Sequence, residues 1–154
     1  MNDSKNVKTH QGGCHCGAVR YQVELDASAG TRCNCTICGK LASIGSLVKP
    51  GAFELLAGAD SATAYEWGMK VGKRYFCKVC GVSVYGAGYL EEMGGAWVSV
   101  NLTTIDGIDT AEIKLLYWDG RHDNWQGGPR ATPWPVHTGK QAAGDRQQAA
   151  GDRG

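Results

Sequence analysis

The chain has 154 residues, a formal net charge of +1, and a hydrophobic fraction of 42% against 20% charged. That is the balance of a globular domain with a real core, not of a disordered chain. Near-neutrality argues against a polyanion-binding surface spread over the whole molecule, while leaving room for a local basic patch.

Glycine, at 23 residues, is about twice its usual share. Short apolar runs lie between the glycines, which points to a turn-rich, mainly β protein. Residues 1–11 read as a flexible leader, and MNDSKNVKTHQGG lacks the apolar core of a signal peptide. The first strand is VRYQVEL, where Val19, Tyr21, Val23 and Leu25 alternate with Arg20, Gln22 and Glu24. DASAG breaks the pattern, and a cysteine cluster follows. SIGSLV, AFELLA, TAYEW, KRYF, VSVYG and AWVSVNL read as further strands separated by glycine-rich turns. DTAEI predicts one helical turn capped by Asp109 or Thr110, and KLLYW a last strand. WDGRHDNWQGGPRATPWPVH then reads as an irregular arm over the body. Residues 139–154 repeat AAGDR without apolar anchors and read as a disordered tail. The body between leader and tail, 12–138, is one domain.

No stretch approaches the roughly 18 continuous apolar residues of a membrane span. The chain therefore reads as cytoplasmic, where thiols stay reduced and disulfide frameworks are rare. Seven cysteines in such a compartment, in close groups, point first to metal. Cys77-Lys78-Val79-Cys80 followed by Gly81 fits a zinc knuckle, the glycine supplying a positive φ for the turn. Such a half-site requires a partner pair. Cys14 and Cys16, one residue apart, would project both sulfurs to one side of an extended segment, with His15 on the other. Cys33 and Cys35 share that spacing, and Cys35 to Cys38 forms a second knuckle.

Keeping CNCTIC together costs less loop-closure entropy than splitting it. That assigns Cys14, Cys16, Cys77 and Cys80 to a closed structural site and Cys33, Cys35 and Cys38 to an open one. A position left free on a zinc ion is typical of catalysis. Against this stand a single structural zinc with three spare thiols, a redox switch in CNCTIC, and cysteines as small buried hydrophobes.

GGCHCGAVRY, CNCTICGK and KRYFCKVCGVSVY resemble, in order and spacing, the glutathione-dependent formaldehyde-activating enzyme family, which also includes centromere protein V. The resemblance spans roughly residues 9–137. It implies a mainly β, Mss4-like tent of antiparallel sheets pinned by zinc. It also implies two zinc ions per chain: a structural one on Cys14, Cys16, Cys77 and Cys80, and a catalytic one on Cys33, Cys35 and Cys38. The implied activity is that of a carbon–sulfur lyase, an S-(hydroxymethyl)glutathione synthase adding glutathione's thiol reversibly to formaldehyde. The chain departs from the family pattern in its C-terminal arm and at Gly39-Lys40.

Glutathione carries two carboxylates, so Lys40, Lys73 and Arg74 are the candidate substrate contacts. Among the histidines, His15 reads as a turn residue, His122 as a hydrogen-bonding residue of a polar turn, and His10 as part of the leader. Tyr85, Trp67, Trp118, Trp125 and Trp134 are candidate pocket walls, with core or arm packing as the default. The rival classes are a zinc-ribbon-like module binding nucleic acid or protein around Lys73, Arg74 and Lys78, and a thiol or metal sensor. No nucleic-acid partner is expected, since the chain has no long basic stretch, and no membrane partner.

Overall fold

The computed structural model describes residues 5–137; the expected tail, 139–154, lies outside them. The strands are β1 (Lys8–Gly13), β2 (Arg20–Leu25), β3 (Ala29–Cys33), β4 (Gly45–Val48), β5 (Phe53–Ala57), β6 (Ala62–Glu66), β7 (Gly72–Cys77), β8 (Ser83–Leu90), β9 (Gly95–Asn101) and β10 (Lys114–Trp118). Among the described residues one short α-helix, α1 (Thr36–Leu41), begins within the second cysteine group. The mainly β expectation holds. The strands form a three-stranded sheet, β1-β2-β5, and a seven-stranded sheet, β10-β3-β4-β9-β8-β7-β6.

The alternation in VRYQVEL has the consequence it predicts: Val19, Tyr21, Val23 and Leu25 are buried between the sheets. From the larger sheet, Val48, Val84, Val98 and Val100 meet them, with Leu102 and Ile105 from the loop that follows β9. Each such side chain contributes about 1.5–3 kcal/mol by burial. An aromatic column crosses the interface. Tyr21 stacks on Phe53 at 5.4 Å, Phe53 lies 4.8 Å from Tyr85, and Tyr85 stacks on Tyr75 at 4.6 Å between ring centroids. Tyr21 Oη and Thr104 Oγ1 share a hydrogen bond of 2.9 Å, so the buried hydroxyl is satisfied. Burial pushes the Tyr21 phenol up to about 12.

Four expectations are corrected. Residues 8–11, assigned to the leader, are part of β1, whose whole length pairs antiparallel with β2 from Lys8↔Leu25 to Gly13↔Arg20. The alternating residues of β2 give β1 a ready partner edge, which outweighs its polar composition. The break at DASAG is short, because β3 already begins at Ala29. The sheets are not wholly antiparallel: β10 pairs parallel with β3, from Lys114↔Ala29 to Trp118↔Cys33. Finally, Cys35 to Cys38 is not a knuckle but the opening turn of α1, with Gly39 N–H donating to Cys35 O at 2.8 Å. The turn at DTAEI is confirmed: Asp109 caps it by accepting from Ala111 N–H at 2.9 Å.

Candidate functional site

The turn between β1 and β2 and the turn between β7 and β8 bring Cys14, Cys16, Cys77 and Cys80 together, with all four sulfurs within 4.8 Å of one another. Cys14 and Cys16 Sγ are 3.6 Å apart, and Cys16 and Cys77 Sγ 3.7 Å. Thiolates at about 2.3 Å from a tetrahedral zinc would lie about 3.8 Å from one another. The donor set therefore fits a closed thiolate site. Cys14 and Cys16 achieve this in a turn rather than an extended segment: Gly17 N–H donates to Cys14 O at 3.3 Å, and His15 is exposed. At the other half-site Gly81 has φ +78° and its N–H donates to Cys77 O at 2.7 Å, the geometry expected of a knuckle. Backbone N–H groups of Val19 and Val79 donate to Cys14 and Cys77 sulfurs at 3.3 and 3.4 Å. Backbone donors from Cys16 and Val82 draw the Cys80 thiol down to about 6.

The second cluster sits where β3 ends and α1 begins. Cys33, Cys35 and Cys38 place their sulfurs within 4.8 Å of one another, with no fourth cysteine, histidine or carboxylate in the group among the described residues. All three are half-buried. The thiols share protons unequally. Hydrogen bonds from Cys33 and Cys35 draw Cys38 down to about 3, with Arg74 adding its charge, while hydrogen bonds with Cys35 and Cys38, together with burial, push Cys33 up.

Arg74 is the one expected substrate cation whose side chain meets a cluster sulfur, Nη2 to Cys38 Sγ at 3.6 Å. Its guanidinium also lies over Trp67, 5.7 Å from the ring centroid. Lys73 pairs instead with Glu66 at 3.8 Å, and Lys40 is exposed in the last turn of α1. Tyr85 belongs to the aromatic column, while Trp118 and Trp125 pack together at 6.0 Å. Trp134 donates through Nε1 to Tyr117 O at 2.9 Å and lies under the Arg130 guanidinium. No histidine joins either cluster among the described residues.

Two features went unseen in the sequence. Gly86 faces Arg74 across β7 and β8, and a Cβ there would lie 2.7 Å from Arg74 Nη1, so the missing side chain makes room for the arginine. The arm also closes on the three-cysteine group. Asn34 Nδ2 donates to Asp119 Oδ1 at 2.8 Å, and His122 Nδ1 shares a 2.7 Å hydrogen bond with the same oxygen. His122 thus has the hydrogen-bonding role its turn suggested. Burial opposes a charge on Asp119, but hydrogen bonds from Asn34, His122 and Asn124 hold its carboxyl below the usual range. Asp119, His122, Arg130 and Trp134 also line a cavity of about 530 Å³, to which no cysteine contributes. The sequence signals, Asn34 between two cysteines and Asp-Gly directly after a strand, acquire meaning only once β10 is known to lie beside β3.

Fold and clusters together define a small two-sheet β domain with two cysteine groups suited to holding metal. The family described as "glutathione-dependent formaldehyde-activating enzyme" matches residues 9–119, and the chain belongs to that family. A curated relative from Emericella nidulans, whose name carries the same description, is 26% identical over 120 residues, covering 74% of this chain and 54% of its own length. The chain thus spans about half the length of that relative. A crystal structure of a Rhodobacter sphaeroides protein superposes with a TM-score of 0.60 at 27% identity, covering 66% of this chain and 93% of that one. Among the described residues no helix is long and apolar enough to cross a membrane.

Proposed function

We propose that the chain is a zinc-dependent carbon–sulfur lyase that adds the thiol of glutathione reversibly to formaldehyde, giving S-hydroxymethylglutathione. The observation that carries this reading is the open group of Cys33, Cys35 and Cys38, with Arg74 beside it. Four thiolates close a zinc site, whereas three leave a position free. Cys14, Cys16, Cys77 and Cys80 would hold a structural ion, and Cys33, Cys35 and Cys38 a catalytic one. A zinc ion on three thiolates supplies a soft Lewis acid able to take a substrate thiolate or polarise an aldehyde oxygen.

In the reaction the sulfur–carbon bond forms as the carbonyl π bond opens, and the thiol proton ends on the former carbonyl oxygen. Holding both reactants together is the main contribution asked of the protein, because the uncatalysed addition is already feasible. Arg74 supports glutathione as the thiol. Its Nη2 is engaged by Cys38, and the half-buried guanidinium carries more N–H donors than one sulfur uses, a fork suited to a carboxylate. Seven thiols gathered in two groups suited to metal fit a reducing, cytoplasmic setting.

The test is exchange NMR of a glutathione–formaldehyde mixture, in which metallated protein should speed equilibration. No acceleration by fully metallated protein would sink this reading.

A further inference from the structure

The parallel pairing of β10 with β3 sets Trp118 beside Cys33 and delivers the next residues of the arm onto the Cys33-Asn34-Cys35 segment. Asn34 is then held at three points. Its N–H donates to Trp118 O at 3.3 Å, its Nδ2 to Asp119 Oδ1 at 2.8 Å, and its Oδ1 accepts from Arg121 N–H at 2.8 Å. Asp119 is 4% exposed and is fixed in turn by His122. Between them the buried Gly120 lies so close to the cluster that a Cβ would stand 2.5 Å from Cys33 Sγ and 3.0 Å from Cys35 Cβ.

We propose that Asp119 is a positioning residue for the three-thiol centre, acting through Asn34 to hold the Cys33 and Cys35 sulfurs on one point, while Gly120 leaves the space Cys33 needs. This inference rests on the reading of Cys33, Cys35 and Cys38 as metal ligands. Partners outside the ligand set commonly orient the ligands and govern affinity in this way. The arm is thereby a working part of the site and not only a cover for the body.

Cobalt(II) is the probe, since its thiolate charge-transfer and d–d bands report ligand number and geometry. Wild-type protein should take two equivalents. Asp119→Ala should keep the four-cysteine site and lose about 10- to 100-fold in affinity at the other, with a shift in its d–d bands. Asp119→Asn should recover part of both, because its amide oxygen can still accept from Asn34. Asn34→Ala leaves the Asp119–His122 pair intact and should reproduce the loss, which keeps the test decisive if Asp119→Ala does not fold. The double variant should be no weaker than either single one.

Wild-type affinity and bands in Asp119→Ala, or additive losses in the double variant, would overturn the inference. A single cobalt equivalent in the wild type would instead overturn the reading of the three cysteines as ligands, and this inference with it.

Discussion

Arg74 Nη2 lies 3.6 Å from Cys38 Sγ, a contact across 36 residues that joins β7 to the start of α1. The guanidinium is a fixed fork with more donors than one sulfur uses, and Trp67 supports its face. Arg74→Met should keep the bulk and remove the charge. Loss of a charge-assisted hydrogen bond of about 1.5–3 kcal/mol predicts a fall of about 10- to 100-fold in kcat/KM for glutathione, mostly through KM. Turnover of a small thiol without carboxylates should change much less. Equal losses for both thiols, measured by exchange NMR over thiol concentration, would show that Arg74 serves the cluster alone.

Gly86 offers an independent approach to the same contact. A Cβ at this position would meet Arg74 Nη1 at 2.7 Å and Lys73 O at 2.9 Å, so Gly86→Ala forces the strand or the arginine to move. Overpacking of this kind costs about 1–3 kcal/mol. The variant should melt lower and show the raised glutathione KM of Arg74→Met, while keeping both metal equivalents. A normal KM together with a lowered Tm would mean the backbone gives way and Arg74 stays in place.

Arg20 on β2 forms a bidentate pair with Asp106, one arm at 3.0 Å, tying the small sheet to the loop beyond β9. The arginine holds the Asp106 carboxyl below its usual range. The stabilisation is therefore complete above the unfolded pKa of about 3.9 and disappears as pH falls through the lower folded value. The side chains are 30% and 55% exposed, so screening limits the contribution to about 1 kcal/mol or less. Asp106→Asn should lower Tm slightly at pH 6, and the gap from wild type should shrink as pH falls below about 3.9. A gap that does not shrink with pH would point to lost packing instead of lost charge.

The sequence made the cysteine groups legible because cysteine spacing is a local pattern that survives any fold. Strands with strict alternation, above all VRYQVEL, were legible for the same reason, and KLLYW coincides with β10. What could not be read depends on partners far away in sequence. β1 looks polar and is a strand only because β2 offers its edge. β3 and β10 are each short, and nothing in either announces a parallel pairing across about eighty residues. Asn34, Asp119 and Gly120 acquire their relation to the cysteines from that pairing, and Gly86 its relation to Arg74 from the β7–β8 register. Of the three candidate cations, pattern alone could not separate Arg74 from Lys73, its neighbour on the same strand.

The two cysteine groups should differ in what they do for the fold. Cys16 and Cys77 Sγ are 3.7 Å apart across 61 residues, and their turns belong to different sheets, β1–β2 in the small one and β7–β8 in the large one. An ion held there clips the two layers together, and its binding free energy becomes folding free energy. Cys77→Ser removes one thiolate and sets a hydroxyl at a fully buried position, so the variant should be poorly soluble or misfolded. Cys35 is the N-cap of α1 and makes no side-chain capping bond. Serine is among the preferred N-caps, so Cys35→Ser removes a ligand from the open group while the helix gains a capping hydroxyl. That variant should stay folded, hold about one zinc per chain instead of about two, and lose catalysis, as checked by metal analysis, melting and exchange NMR on one preparation. If Cys35→Ser unfolds while Cys77→Ser keeps fold and activity, the structural and catalytic assignments are reversed.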